Sequence, residues 1–142
     1  MRDAPLMAKL AAKHVKDTSK TLLMSSDALR ALTTAKEFAN AIGMNETDIL
    51  QNEDLYLADE LDTMDEIKTV PDNYDTLFIF GHNPGFTYLL NRLCNLNVDN
   101  VPTCGVACLR FDMDSWMDIS FGKGELVFFE YPKKYYKEPL SE

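Results

Sequence analysis

Apolar and polar positions recur along this chain with two different periods, and the switches between them divide it into elements. From Arg2 to Lys16, Leu6, Leu10, Ala11 and His14 fall at helical intervals with Lys9, Lys13 and Lys16 between them, which predicts an amphipathic helix. KTLLMSS, Lys20 to Ser26, then predicts a short strand. The helix after it is capped by Ser26 or Asp27, lined on one face by Leu32, Ala35, Phe38, Ala39 and Ile42, and stopped at Gly43.

A weak strand around Asp48 to Gln51 and an acidic helix around Ala58 to Val70 follow, closed by the turn residues PDNYD. TLFIF, Thr76 to Phe80, is a continuous apolar run, the pattern of a strand buried on both faces and paired in parallel. Phe86 to Cys94 predicts a helix and GVACLRFD a strand, while WMDISFGKGELVFFEY predicts a hairpin turning at Gly122-Lys123-Gly124. Residues 1–132 are expected to form one domain and KKYYKEPLSE, 133–142, a loose tail.

Strands alternating with helices predict an α/β fold, a mostly parallel sheet with helices on both faces and its active site at the carboxyl ends of the strands. One expectation breaks that pattern. The chain opens in a helix with no strand ahead of it, so the sheet is expected to lack its first strand, and an unfilled position would leave an edge open to self-association.

Charge narrows the function. Fourteen Lys and Arg against 23 Asp and Glu give a net charge of −9, which disfavours nucleic acid and anionic membrane as partners. No apolar run is long enough to cross a bilayer, and MRDAPLMAKL lacks the apolar core of a secretory signal. Three cysteines, Cys94, Cys104 and Cys108, suit reduced thiols, and a cytoplasmic location is expected. The seven carboxylates from Glu53 to Glu66 lack the ordered spacing of a calcium loop and read as a solvated face.

Candidate chemistry lies where strands end. Alone, GHNPG reads as a type II turn with Pro84 and Gly85 at its centre and His82 beside it. Topology adds to this, because His82 follows one buried strand while Ser25, Ser26 and Arg30 follow another, and parallel pairing would bring both sets to one edge. There a helix N-terminus offers free N–H groups and Arg30 a guanidinium able to grip two phosphate oxygens.

These residues resemble the small bacterial phosphohistidine phosphatases (SixA type) of the histidine phosphatase superfamily. RDAPLMAKL resembles their first helix, SSDALRALTTAKEF their second strand-to-helix unit, LFIFGHNPGF their second histidine motif and NVPTCGVACLRFD their late strand. The resemblance implies a phosphoglycerate-mutase-like fold, a phosphate pocket of Arg30, His82 and Asn83, catalytic roles for Arg30 and His82, and no metal or other cofactor. It implies hydrolysis of phosphohistidine in a phosphorylated protein, or of a small phosphoramidate, through a covalent phosphohistidine intermediate.

The family's opening strand ends in Arg-His-Gly or Arg-His-Ala, whose histidine is the nucleophile. No such motif occurs here. The only other histidine, His14, is expected mid-helix, so the chain is expected to lack its nucleophile, through truncation or a misplaced start at Met1, and to be inactive or nearly so. No leaving-group acid stands out among Glu53, Asp54, Asp59 and Glu60; imidazole, with a free pKa near ~6.5, needs one less than an alkoxide does. Two further readings are a non-catalytic phosphate- or phosphoprotein-binding module of the same fold, and a structural domain without a ligand.

Overall fold

The computed structural model describes residues 3–102 and 105–131. Cys104 and the expected tail at 133–142 lie outside the described residues. Among the described residues nine helices and strands follow one another: α1 (Asp3–Ala12), β1 (Thr21–Ser25), α2 (Leu29–Ile42), β2 (Ile49–Gln51), α3 (Glu60–Lys68), β3 (Thr76–Phe80), α4 (Gly85–Cys94), β4 (Val106–Arg110) and β5 (Glu125–Glu130).

β1 is the central strand of a parallel sheet of order β2-β1-β3, with Leu23 opposite both Ile49 and Phe78. All five of its residues are buried. Strand alternation then sorts the core into two layers. Leu23, Phe78 and Phe80 point to the side covered by α1 and α2, where they meet Met7, Ala8, Ala11, Ala35, Phe38 and Ala39. Leu22, Met24, Leu77 and Ile79 point to the opposite side, against Leu55, Met64, Ile67, Leu89 and Leu93 of the α3 and α4 layer. Helices on both faces of a parallel sheet are the α/β architecture that the alternation of patterns predicts.

α2 is buried along Ala31, Ala35, Phe38 and Ala39, a stripe at helical spacing. It stops at Gly43, whose φ of 82° lies in the left-handed region that glycine occupies without strain.

Four local readings are corrected. α1 ends at Ala12, so His14 is not mid-helix; it sits beyond the helix and stacks on Phe128 of β5, ring centroids 4.4 Å apart. Neither Ser26 nor Asp27 caps α2, whose N-cap is Ala28 with no side-chain hydrogen bond. The hairpin at 116–131 is not formed: Trp116–Asp118 is a 3₁₀ turn, and β5 pairs antiparallel with β4 across a bulge at Cys108 and Leu109. Cross-strand fit over the Val106–Arg110 segment wins over the local glycine turn.

β3 is the fourth correction. Its side chains are packed on both faces, yet all five residues are only half-buried, because among the described residues it pairs with β1 alone. β4 lies near without joining the ladder: Val106 packs on the cluster holding Phe78 and Phe80, and Leu109 on the cluster holding Leu77 and Ile79. The two sheets share a core but not a hydrogen-bonded edge.

Candidate functional site

The register of β1 and β3 sets the site. Ser25 lies opposite Phe80, so the residues that follow each strand leave the sheet at the same end. The ladder runs one step further, with Ser26 N–H donating to the Phe80 carbonyl at 2.9 Å. On the other side of β1, Asn52 N–H donates to the Ser25 carbonyl at 2.8 Å. Ser25 and Ser26 are fully buried, and Ser25 Oγ donates to the Ser26 carbonyl at 2.8 Å.

Onto this fixed corner the chain brings His82. Its Nε2 lies 2.9 Å from Ser26 Oγ, which also accepts the Ala28 N–H at 3.2 Å. Tyr56, which follows the 3₁₀ turn Glu53–Leu55, sets its ring edge-on to the imidazole, centroids 5.6 Å apart at 77°. Contacts across 56 residues of sequence therefore join the loops after β1 and β3.

The GHNPG loop is held by its small and polar residues. A side chain at Gly81 would run into the Phe86 ring at 2.5 Å. Asn83 Oδ1 accepts Thr87 N–H at 3.1 Å and Thr87 Oγ1–H at 2.8 Å, while Nδ2 donates to the Val101 carbonyl at 3.0 Å. That engagement gives Asn83 a structural task and leaves one Nδ2 hydrogen for a ligand. The type II turn is not formed. The Asn83–Pro84 peptide is cis, Pro84 is the N-cap of α4, and Gly85 is its buried first residue.

Arg30 is the second residue of α2, exposed, and its guanidinium has no partner among the described residues. The N–H groups of Leu29, Arg30 and Ala31 precede the first intrahelical bond, Leu32 N–H to the Ala28 carbonyl at 3.0 Å. An unused cation and an uncapped helix start thus stand a few residues from the Ser26–His82 contact.

The surroundings are acidic. A surface cleft of about 530 Å³ is lined by Asp27, Glu53, Asp54 and Tyr56. Of the other carboxylates weighed as acids, Asp59 caps α3 by accepting Asp62 N–H at 2.8 Å, and Glu60 is half-buried in its first turn. Burial pushes the thiols of Cys94 and Cys108 above their ordinary range, the latter opposed by Arg110. No group of three or more metal-ligating side chains converges among the described residues.

No protein-family model matches the sequence, and no curated protein matches it. Solved structures do match. The protein designated phosphohistidine phosphatase SixA from Agrobacterium tumefaciens aligns at TM-score 0.65 and 24% identity, over 92% of this chain and 81% of that one. The protein histidine phosphatase SixA complexed with tungstate aligns at TM-score 0.73 and 18% identity, over 94% and 81%. The chain has the SixA fold. The SixA protein from Nakamurella multipartitia aligns at TM-score 0.68 and 20% identity, over 92% and 80%. At these identities the likeness establishes the fold, and the site must be argued from its own residues.

The sequence puts Ser26, Arg30 and His82 at one edge; a hydrogen bond joins His82 to Ser26, none among the described residues joins Arg30 to either, and Tyr56 was missed. Its contact with His82 is made by an irregular loop that carries no periodic signal.

Proposed function

We propose that the chain is a phosphatase domain of the histidine type, directed at phosphohistidine in proteins, and that Arg30, His82 and Asn83 bind its oxyanion. The observation that carries the reading is the 2.9 Å contact of His82 with Ser26, beside the open first turn of α2. Arg30 offers a fixed charge, the α2 amides offer N–H donors, and His82 and Asn83 offer side-chain donors to one tetrahedral anion. Support also comes from a SixA structure of the same fold that was complexed with tungstate, a tetrahedral oxyanion.

The chemistry of this class is attack by an imidazole nitrogen on phosphorus, with the P–N bond to the leaving imidazole breaking and a covalent phosphohistidine forming. Water then cleaves that intermediate to inorganic phosphate. Within this chain His82 is the phosphate-side donor, and His14, exposed and stacked on Phe128, is not the nucleophile. The reading therefore expects binding with little turnover from these residues, since electrostatics and binding persist when a covalent nucleophile is missing.

A second reading, a phosphoprotein-binding module without chemistry, is favoured by that same position of His14. Incubating the chain with phosphoramidate and with vanadate tests both. We expect saturable vanadate binding, lost in Arg30→Ala, and phosphoramidate hydrolysis no faster than in buffer. Turnover by a chain extended ahead of Met1 through an in-frame strand ending in Arg-His would select the phosphatase; no turnover in any form would select the module. Failure to bind vanadate would overturn both.

A further inference from the structure

We infer that Ser26 is a positioning residue for His82: it fixes the ring as the Nδ1–H tautomer, so that Nδ1 is the atom that donates to the bound oxyanion. This rests on the oxyanion-pocket reading for its ligand, but the tautomer follows from hydrogen-bond accounting alone.

Ser26 has no exposed surface, so its hydroxyl proton cannot turn to water. No buried side-chain oxygen or nitrogen among the described residues lacks a partner. Among the described residues two groups reach Ser26 Oγ: the Ala28 N–H at 3.2 Å, which only donates, and His82 Nε2 at 2.9 Å. The hydroxyl therefore accepts from Ala28 and has one place to donate, the lone pair of Nε2. A buried hydroxyl left without an acceptor would be costly, so the arrangement selects against a proton on Nε2. The remaining ring proton must sit on Nδ1, which has no partner among the described residues.

The corner is rigid enough to enforce this. Ser26 N–H is bonded to the Phe80 carbonyl, its own carbonyl takes the Ser25 hydroxyl, and Tyr56 closes one side of the imidazole edge-on. The consequence is an N–H donor at Nδ1 even with the ring uncharged. The other tautomer would leave a lone pair there, which cannot donate to an oxyanion.

Long-range proton–nitrogen correlation on the ¹⁵N-labelled chain at alkaline pH tests the assignment, together with titration by inorganic phosphate. In the unmodified chain we expect a protonated Nδ1 and an unprotonated Nε2 for His82. Ser26→Ala should lose that preference and weaken phosphate binding about tenfold, the loss of one hydrogen bond to a charged group. Ser26→Thr, which keeps the hydroxyl, should restore both.

A protonated Nε2 in the unmodified chain would overturn the proposal, and that reading stands even if Ser26→Ala fails to fold. Unchanged tautomer and affinity in a folded Ser26→Ala would overturn it too. The expected tautomer without any phosphate binding would support the role of Ser26 and overturn the pocket reading instead.

Discussion

At Gly85 the lack of a side chain lets α4 pack against the Ala58 backbone. A Cβ there would lie 2.5 Å from the Ala58 carbonyl oxygen, backbone that cannot swing aside as a side chain can. Gly85→Ala should therefore cost about 1–3 kcal/mol in a denaturant titration, the range for overpacking. It should also weaken oxyanion binding, because the 81–86 loop must shift to relieve the clash. An unchanged midpoint would show that the 56–59 loop yields freely. The sequence marks this glycine but for another reason: Pro-Gly is a turn signal, whereas the need here is for close approach between distant loops. His14 was misread in the same way. Its helical spacing continues past Ala12, but stacking on Phe128 is a tertiary contact that no local pattern announces.

Among the elements, α2 couples the core to the site. Phe38 meets Phe78 and Phe80 edge-on, centroids 6.0 and 5.2 Å apart, and Phe80 stands two residues before His82. Phe38→Ala should destabilise by about 3–5 kcal/mol, the usual cost of emptying a buried aromatic position. A loss below about 1 kcal/mol, measured by the same titration, would mean the cluster collapses without penalty. α2, α3 and α4 were legible because burial on one face imprints a helical period on the sequence, and β1 because a short apolar run marks a strand buried on both faces. The late hairpin was not, since Gly122-Lys123-Gly124 gives a turn signal and only the pairing of Val106–Arg110 with Glu125–Glu130 decides which strand β5 joins. β3 was legible as a strand but not as an edge, for an apolar run reports packing on its faces and says nothing of its hydrogen-bonding neighbours.

For the whole molecule, the tension is between a net charge of −9 with an acidic cleft of Asp27, Glu53 and Asp54, and a corner built to hold an anion. Short contacts to Arg30 and the helix amides are screened less than the diffuse field, whose reach shrinks to about 10 Å at 0.1 M salt. Free oxyanion should thus bind no more weakly at moderate than at low salt. The joint corner was legible from parallel strands alone; the carboxylates beside it were visible in the sequence but could not be placed there. The measurement that bears most directly on the account is an amide-shift map of the chain titrated with tungstate. Shifts are expected to concentrate together at residues 26–31 and 81–87, follow one binding curve, and vanish in Arg30→Ala. Shifts confined to one of those loops, located elsewhere, or unaffected by Arg30→Ala would contradict it.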